Sequence, residues 1–304
     1  MKKLAYIAGA LMLLMPAVAG AQVLPFTSVE ADAVSLGKAG TNLVETGAVA
    51  NAAFSNAAVI PFYDAKFDVS AGYTMWQPSA VGSNKLNVGA AFNVKHKVGV
   101  AVGFMYGMHK PYSGANSGGG ITGEFAPKDM HVNVGLAWRF LPFMSLGANV
   151  GYASSALAAD HSYGAVDADV FLMAKFSGVK VTAGIANIGS KVTAANGAKF
   201  SLPTSVAVGA GYTKEFALKH RVDVMLDADY YLQDGFAASV GAEYAFNGIA
   251  SVRAGYRYGG NTVIPSYASV GAGVKFVGVK LDVAYLIASG PMKNTLAVGL
   301  GYTF

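Results

Sequence analysis

The chain has 304 residues, of which 53% are hydrophobic and 13% charged, with a formal net charge of +5 and no cysteine. Cysteine-free composition excludes disulfides, thiolate metal sites and a thioether lipid anchor, and Lys and Arg are scattered without a run, so nucleic acid is not a partner. Mean hydropathy is +0.40, a value that leans toward a membrane.

Met1 to Ala21 places Lys2 and Lys3 before an apolar run from Leu4 to Met15, then Pro16 and the small-residue site Ala19-Gly20-Ala21. This is the layout of a secretory signal peptide. Cleavage is expected after Ala21, leaving a mature chain that begins at Gln22. Beyond the leader no run of about 18 apolar residues occurs, so a spanning helix is not expected. In lipid every backbone N–H and C=O must be satisfied, which leaves a closed barrel in the outer membrane as the expected fold.

Residues 22–64 do not alternate and are expected to form an N-terminal plug, with Asp32, Ser35, Gly37, Gly40, Asn51 and Asn56 as its candidate structural residues. Residues 65–304 are expected to form the transmembrane barrel. There, fourteen segments alternate apolar with small or polar residues: 66–76, 84–95, 98–108, 128–140, 143–155, 165–176, 178–187, 203–214, 220–231, 236–246, 249–258, 266–276, 278–288 and 293–304. Each suits a tilted strand that crosses the hydrocarbon, and the even count suits a single-chain antiparallel barrel. Connections such as His96-Lys97, Asn247-Gly248 and Val277-Gly278 are short, whereas those between them are mostly longer, up to His109–Pro127. Short turns belong on the periplasmic side and long loops on the exterior.

Charges reveal which face is wet. In 220–231, Val222, Val224 and Leu226 oppose Asp223, Asp227 and Asp229; in 249–258, Val252 and Ala254 oppose Arg253 and Arg257. A Lys or Arg facing lipid at the midplane costs roughly 2–4 kcal/mol, so these charges belong in the lumen. Asp223, Asp227, Asp229, Glu243, Arg253 and Arg257 are therefore expected to form an interior ion-pair ladder. Many inward positions are glycines, among them Gly89, Gly99, Gly103, Gly135, Gly147, Gly151, Gly209, Gly271 and Gly273. Glycine is used where another backbone comes close, so this face leaves room for the plug. The chain ends in an alternating strand with Tyr302 and Phe304, expected to sit in an aromatic girdle and to act as the signal for the outer-membrane assembly machinery.

Ala31-Asp32-Ala33-Val34-Ser35-Leu36-Gly37-Lys38-Ala39-Gly40 followed by Ala53-Phe54-Ser55-Asn56-Ala57-Ala58 resembles the start of the PorV/PorQ family of Bacteroidetes outer-membrane proteins. Asn187-Ile188-Gly189, Leu202-Pro203, Gly241-Ala242-Glu243-Tyr244 and Arg253-Ala254-Gly255-Tyr256 also fit that pattern. The resemblance implies a fourteen-stranded barrel occluded by its N-terminal segment. It further implies either a docking subunit for a surface or exported partner protein of type IX secretion or, as in the related FadL transporters, a channel for hydrophobic molecules.

Catalysis is not expected. Of the five histidines only His131 falls mid-strand on an inward face, and no Ser or Asp singles itself out beside it. Asp167 with Asp169, and Asp227 with Asp229, offer paired carboxylates that could take Ca²⁺, but pairing with interior Arg and Lys is the expected use. No cofactor is expected. Ser117-Gly118-Gly119-Gly120 reads as an exterior loop, and Trp76 and Trp138 as interfacial anchors. Partners are then outer-membrane lipid, the assembly machinery and, as the leading expectation, a surface protein docked on loops 109–127 and 188–201. The competing expectation is a greasy slot lined by Met105, Phe171 and Met173 with a lateral exit; a plain porin is disfavoured by the crowded interior.

Overall fold

A computed structural model describes the chain apart from residues 1–22, 31, 79–81, 116–120, 159–160, 194–196, 218 and 263. The expected leader and the Ser117–Gly120 run lie outside the described residues. The remainder is a closed antiparallel barrel of fourteen strands in chain order, sealed by pairing of the first with the last. These are β1 (Phe67–Trp76), β2 (Ser83–Val94), β3 (Val98–Met108), β4 (Lys128–Leu141), β5 (Met144–Ala158), β6 (His161–Phe176) and β7 (Val179–Gly189). Then follow β8 (Ser205–Phe216), β9 (His220–Tyr231), β10 (Gly235–Phe246), β11 (Ala250–Tyr258), β12 (Tyr267–Phe276), β13 (Val279–Ile287) and β14 (Leu296–Thr303).

All fourteen expected segments are strands, and their ends differ for local reasons. β8 begins two residues late because Pro203 has no N–H to give to a ladder. β14 begins at Leu296 because Gly290–Met292 forms a 3-10 turn that buries Met292. Two of the long outer connections carry small hairpins, Tyr112–Ala115 with Ile121–Phe125 and Val192–Thr193 with Lys199–Phe200. At the other end Asn247 (φ 54°) and Gly248 (φ 64°) adopt the left-handed conformation a two-residue hairpin needs.

Alternation decides the solvent of each residue. Along β4, Val132, Val134, Leu136 and Trp138 face outward, and Leu136 is 57% exposed to the lipid side. His131, Asn133 and Ala137 on the same strand are buried in the lumen. Trp76 corrects the expectation of an interfacial anchor. It shares its phase with Asp68 and Thr74, is buried in the lumen, and lies under the Lys85 ammonium, which stands 5.2 Å from the ring centroid.

The plug runs the length of the barrel. Val23 N–H bonds to Ser201 O in an outer loop, and the Tyr63 hydroxyl meets Thr303 Oγ1 at the periplasmic end. Between them lie 3-10 turns at Pro25–Ser28, Ala52–Phe54 and Ala57–Phe62, and one helical turn, α1 (Ala33–Leu36). Asp32 caps α1, accepting from Ser35 N–H at 2.9 Å and from the Ser35 hydroxyl at 2.9 Å. Gly40, at φ 87°, lets the chain turn back beneath Glu30. Asn56 caps the last 3-10 turn through Ala58 N–H and donates to Leu43 O (2.7 Å) and Thr182 Oγ1 (3.2 Å), tying plug to wall. Asn51 donates to Ser70 Oγ at 2.9 Å.

The inward glycines are where the plug touches. A Cβ on Gly147 would stand 2.3 Å from Ala58 N, one on Gly103 2.4 Å from the Phe54 ring, and one on Gly255 2.5 Å from the Lys38 carbonyl carbon. Gly37 in the plug and Gly271 in the wall face each other in the same way. Gly151 and Gly273 instead make room for wall side chains, Asn133 and Asp282.

Candidate functional site

The lumen contains two charged regions of opposite design. Toward the periplasm the ions are paired. Glu243 meets Arg253 Nε at 2.5 Å, Arg253 Nη1 meets Asp282 at 2.7 Å, Arg221 bridges Glu243 (2.5 Å) and Asp223 (3.4 Å), and Lys180 reaches Asp223 at 3.0 Å. Register explains this set, since Asp223 stands opposite Glu243 on β10 and Glu243 opposite Arg253 on β11. Two acids side by side then require Arg221 between them. The plug adds a further pair here, Lys38 Nζ donating to Glu45 Oε2, with Lys38 wholly buried. Burial opposes the Glu45 charge, but the Lys38 ammonium outweighs it and holds this carboxyl well below the usual range.

The other half of the expected ladder does not form. Asp227 stands opposite Gly209 and Ser239, Asp229 opposite Ala207 and Ala237, and Arg257 opposite Ser239 and Tyr267, so no acid and base are neighbours. Asp227 Oδ2 accepts instead from the plug N–H groups of Asn42 (2.8 Å) and Leu43 (3.0 Å). Asp229 has a long contact of 3.4 Å from Ser205 Oγ, and Arg257 one of 3.4 Å to Ser239. The Asp167 and Asp169 pair also departs from expectation. Asp167 binds His131 Nε2 at 3.1 Å, and Asp169 takes Asn149 (3.1 Å) and Asn187 N–H (2.8 Å), with no Lys or Arg on either among the described residues.

Asn187 has φ 53° and shifts the β6–β7 register beside Asp169. As a result Ile188 and Gly189 pair only with β6, Asn187 stands outside the register, and β8 joins β7 from Ala186 downward. The ladder between β7 and β8 is therefore missing over the outer end of β7. Leu202 covers it, pressed against Gly189, and Thr204 Oγ1 donates to Asn187 O at 2.8 Å. Directly inside this seam lies an apolar cluster of Leu24, Phe26, Met105, Ala153, Ala165, Val192 and Leu202. Phe171 and Met173 pack deeper, against Leu43, Val59 and Ile60 of the plug. The seam was invisible in the alternation, although Asn187-Ile188-Gly189 and Leu202-Pro203 mark its two edges.

Three strand ends meet in a chain absent from the sequence reading. Ser83 Oγ lies 2.7 Å from His109 Nδ1, and His109 Nε2 lies 2.7 Å from Asp129 Oδ2. Ser83 is buried, and the chain braces three neighbouring strand ends under the outer loops.

No protein-family model and no curated protein matches this sequence. Solved structures do. The toluene transporter TbuX of Ralstonia pickettii superposes with TM-score 0.61 at 11% identity, over 90% of this chain and 97% of that one. The toluene transporter TodX of Pseudomonas putida gives 0.60 at 12% identity, over 93% and 98%. A FadL homologue from Pseudomonas aeruginosa gives 0.51 at 11%, over 94% and 97%. The fold is FadL-like. TbuX and TodX are toluene transporters by name, and the likeness concerns the fold of this chain.

Glu30 lies between the plug and the charged wall of this FadL-like barrel, where the Asn42 amide donates to its Oε2. Its half-buried position strips water from the carboxyl and, with Asp32 adding to the effect and Arg257 opposing it, pushes it well above the usual range. A group with a raised folded value contributes stability that is fully present below its unfolded value and is lost as pH rises through the folded one. Plug retention should therefore weaken on going from pH 5 to pH 9, and Glu30→Gln should flatten that dependence. Protease protection of residues 23–63 across this range measures it; an unchanged slope in the variant would assign the effect elsewhere.

Proposed function

We propose that the protein is a FadL-type channel that carries hydrophobic small molecules across the outer membrane, leaving the lumen through the barrel wall. The observation that carries this reading is the apolar cluster at the outer mouth, placed against the one stretch where β7 and β8 share no ladder. A molecule held by Phe26 and Met105 would reach lipid there once the Leu202 side chain swings aside and the Thr204 Oγ1–Asn187 O bond opens, with no β7–β8 ladder bond to break. The structural likeness to two toluene transporters supports the same reading, and favours it over the surface-docking role suggested by the resemblance to PorV and PorQ.

Uptake of labelled toluene by cells carrying the barrel in their outer membrane tests it. Phe26→Asp should lower uptake about tenfold, because it removes a contact of the size of a buried aromatic, worth roughly 1.5–3 kcal/mol. A wild-type barrel that admits no toluene, or that purifies with a stoichiometric protein partner and no lipid-like ligand, would overturn the proposal.

A further inference from the structure

On the outer surface of the wall, at the short-turn end, two basic side chains depart from the rule that sends charge into the lumen. Of the described Lys, Arg, His, Asp and Glu side chains on the fourteen strands, only Lys128, Lys214 and His220 fall in the outward phase. Lys128 opens β4 at the opposite end of the barrel. Lys214 and His220 are instead diagonal neighbours across the β8–β9 ladder, where Lys214 pairs with Val222 and Phe216 with His220. Diagonal positions on one face lie within reach of a long side chain.

The imidazole is held in place. Its ring stacks on Phe216, with centroids 5.2 Å apart and planes 9° from parallel, and meets the Phe246 ring at 5.3 Å and 61°. His220 Nδ1 lies 2.7 Å from the Tyr244 hydroxyl. Phe216, Tyr244 and Phe246 are all exposed on the lipid side, so the histidine belongs to the aromatic belt that marks the membrane interface. With the Tyr244 hydroxyl donating to Nδ1, the ring N–H sits on Nε2, which has no hydrogen-bond partner among the described residues. Lys214 is exposed and forms no ion pair among the described residues. A lone lysine in the belt would only rise to the headgroups on its flexible stem. A fixed ring N–H beside an ammonium is a shaped pair of donors.

We propose that Lys214 and His220 bind the phosphate of an anionic phospholipid in the leaflet at the short-turn end, with its acyl chains lying along Val222, Val224 and Leu226. Phosphate oxygens accept from both donors, and the single negative charge of a phosphatidylglycerol headgroup meets the Lys214 ammonium. Phosphatidylethanolamine carries its own ammonium next to the phosphate, which would stand against Lys214 and weaken the fit. The outward residues deeper on β9 are Val222, Val224 and Leu226, an apolar track without a charge. This site requires only that the barrel span a membrane; it does not depend on what the lumen carries.

Native mass spectrometry of the full-length protein in detergent, titrated with dioleoylphosphatidylglycerol, dioleoylphosphatidylethanolamine or glycerol 3-phosphate, tests the site. One phosphatidylglycerol should be retained, phosphatidylethanolamine should bind at least fivefold more weakly, and glycerol 3-phosphate should not bind. Lys214→Gln should weaken phosphatidylglycerol binding about tenfold. His220→Phe keeps an aromatic ring between Phe216 and Phe246 but removes the N–H, and should weaken it to a similar degree. Lys128→Gln should leave it unchanged. Equal retention of the two phospholipids, or full affinity in His220→Phe, would reduce the pair to a lysine anchored in bulk headgroups and overturn the site. Binding of glycerol 3-phosphate as tight as that of the lipid would show a free-anion patch instead. Toluene uptake is a separate readout, so a barrel that admits toluene yet retains no phosphatidylglycerol would refute this site and leave transport standing.

Discussion

Replacing Lys38 with methionine is expected to loosen the plug while leaving the barrel folded. Lys38 is wholly buried, its ammonium donates to Glu45 Oε2, and its stem lies near Met225 with Nζ 3.9 Å from the sulfur. Methionine keeps the stem but leaves Glu45, 7% exposed, as a buried charge without its partner. Breaking a buried pair from one side typically costs about 3–5 kcal/mol, whereas replacing both partners by apolar groups can be neutral. The backbone hydrogen bonds of β1 to β14 do not involve Lys38, so the loss falls on the plug. In planar bilayers the wild-type barrel should be nearly silent and Lys38→Met should conduct. Lys38→Met/Glu45→Leu should close it again. A single variant as silent as the wild type would mean that the pair does not hold the plug.

The barrel was legible because lipid and lumen impose opposite demands on alternate residues, and the chain obeys them for fourteen strands. Phase was equally legible. Trp76 falls in step with Asp68 and Thr74, so its burial followed from the pattern, and only the habit of placing tryptophan at interfaces pointed elsewhere. Register was not legible. Asp223, Glu243 and Arg253 share a face with Asp227 and Asp229, and what separates the paired group from the unpaired one is which residue stands across each ladder. The unpaired acids were hidden for a further reason: their partners include plug groups such as Asn42 and Leu43 that descend onto Asp227, and the plug has no period from which to read its path. The chain of Ser83, His109 and Asp129 gathers three strand ends in the same unreadable way.

Gly147→Val should separate the plug from the wall by steric displacement rather than by a change of charge. The Cβ would stand 2.3 Å from Ala58 N and 2.8 Å from Ala58 Cα, both backbone atoms that no rotamer change can move. Neighbouring Ser145 donates to Ala58 O at 2.6 Å, so the same displacement breaks a buried hydrogen bond. Overpacking of this kind costs about 1–3 kcal/mol, and losing the bond adds roughly 1 kcal/mol. The strand should not suffer, because valine favours β structure over glycine. Gly147→Val should therefore show protease cleavage within residues 52–63 and raised bilayer conductance, while the barrel keeps its resistance to detergent unfolding. Gly103→Ala gives the contrast. Its methyl would meet the far edge of the Phe54 ring at 2.4 Å, the end of a side chain that can turn away, so its plug should stay protected. Equal protection of residues 52–63 in both variants would mean that the close approach at Gly147 is relieved by the wall and not by the plug.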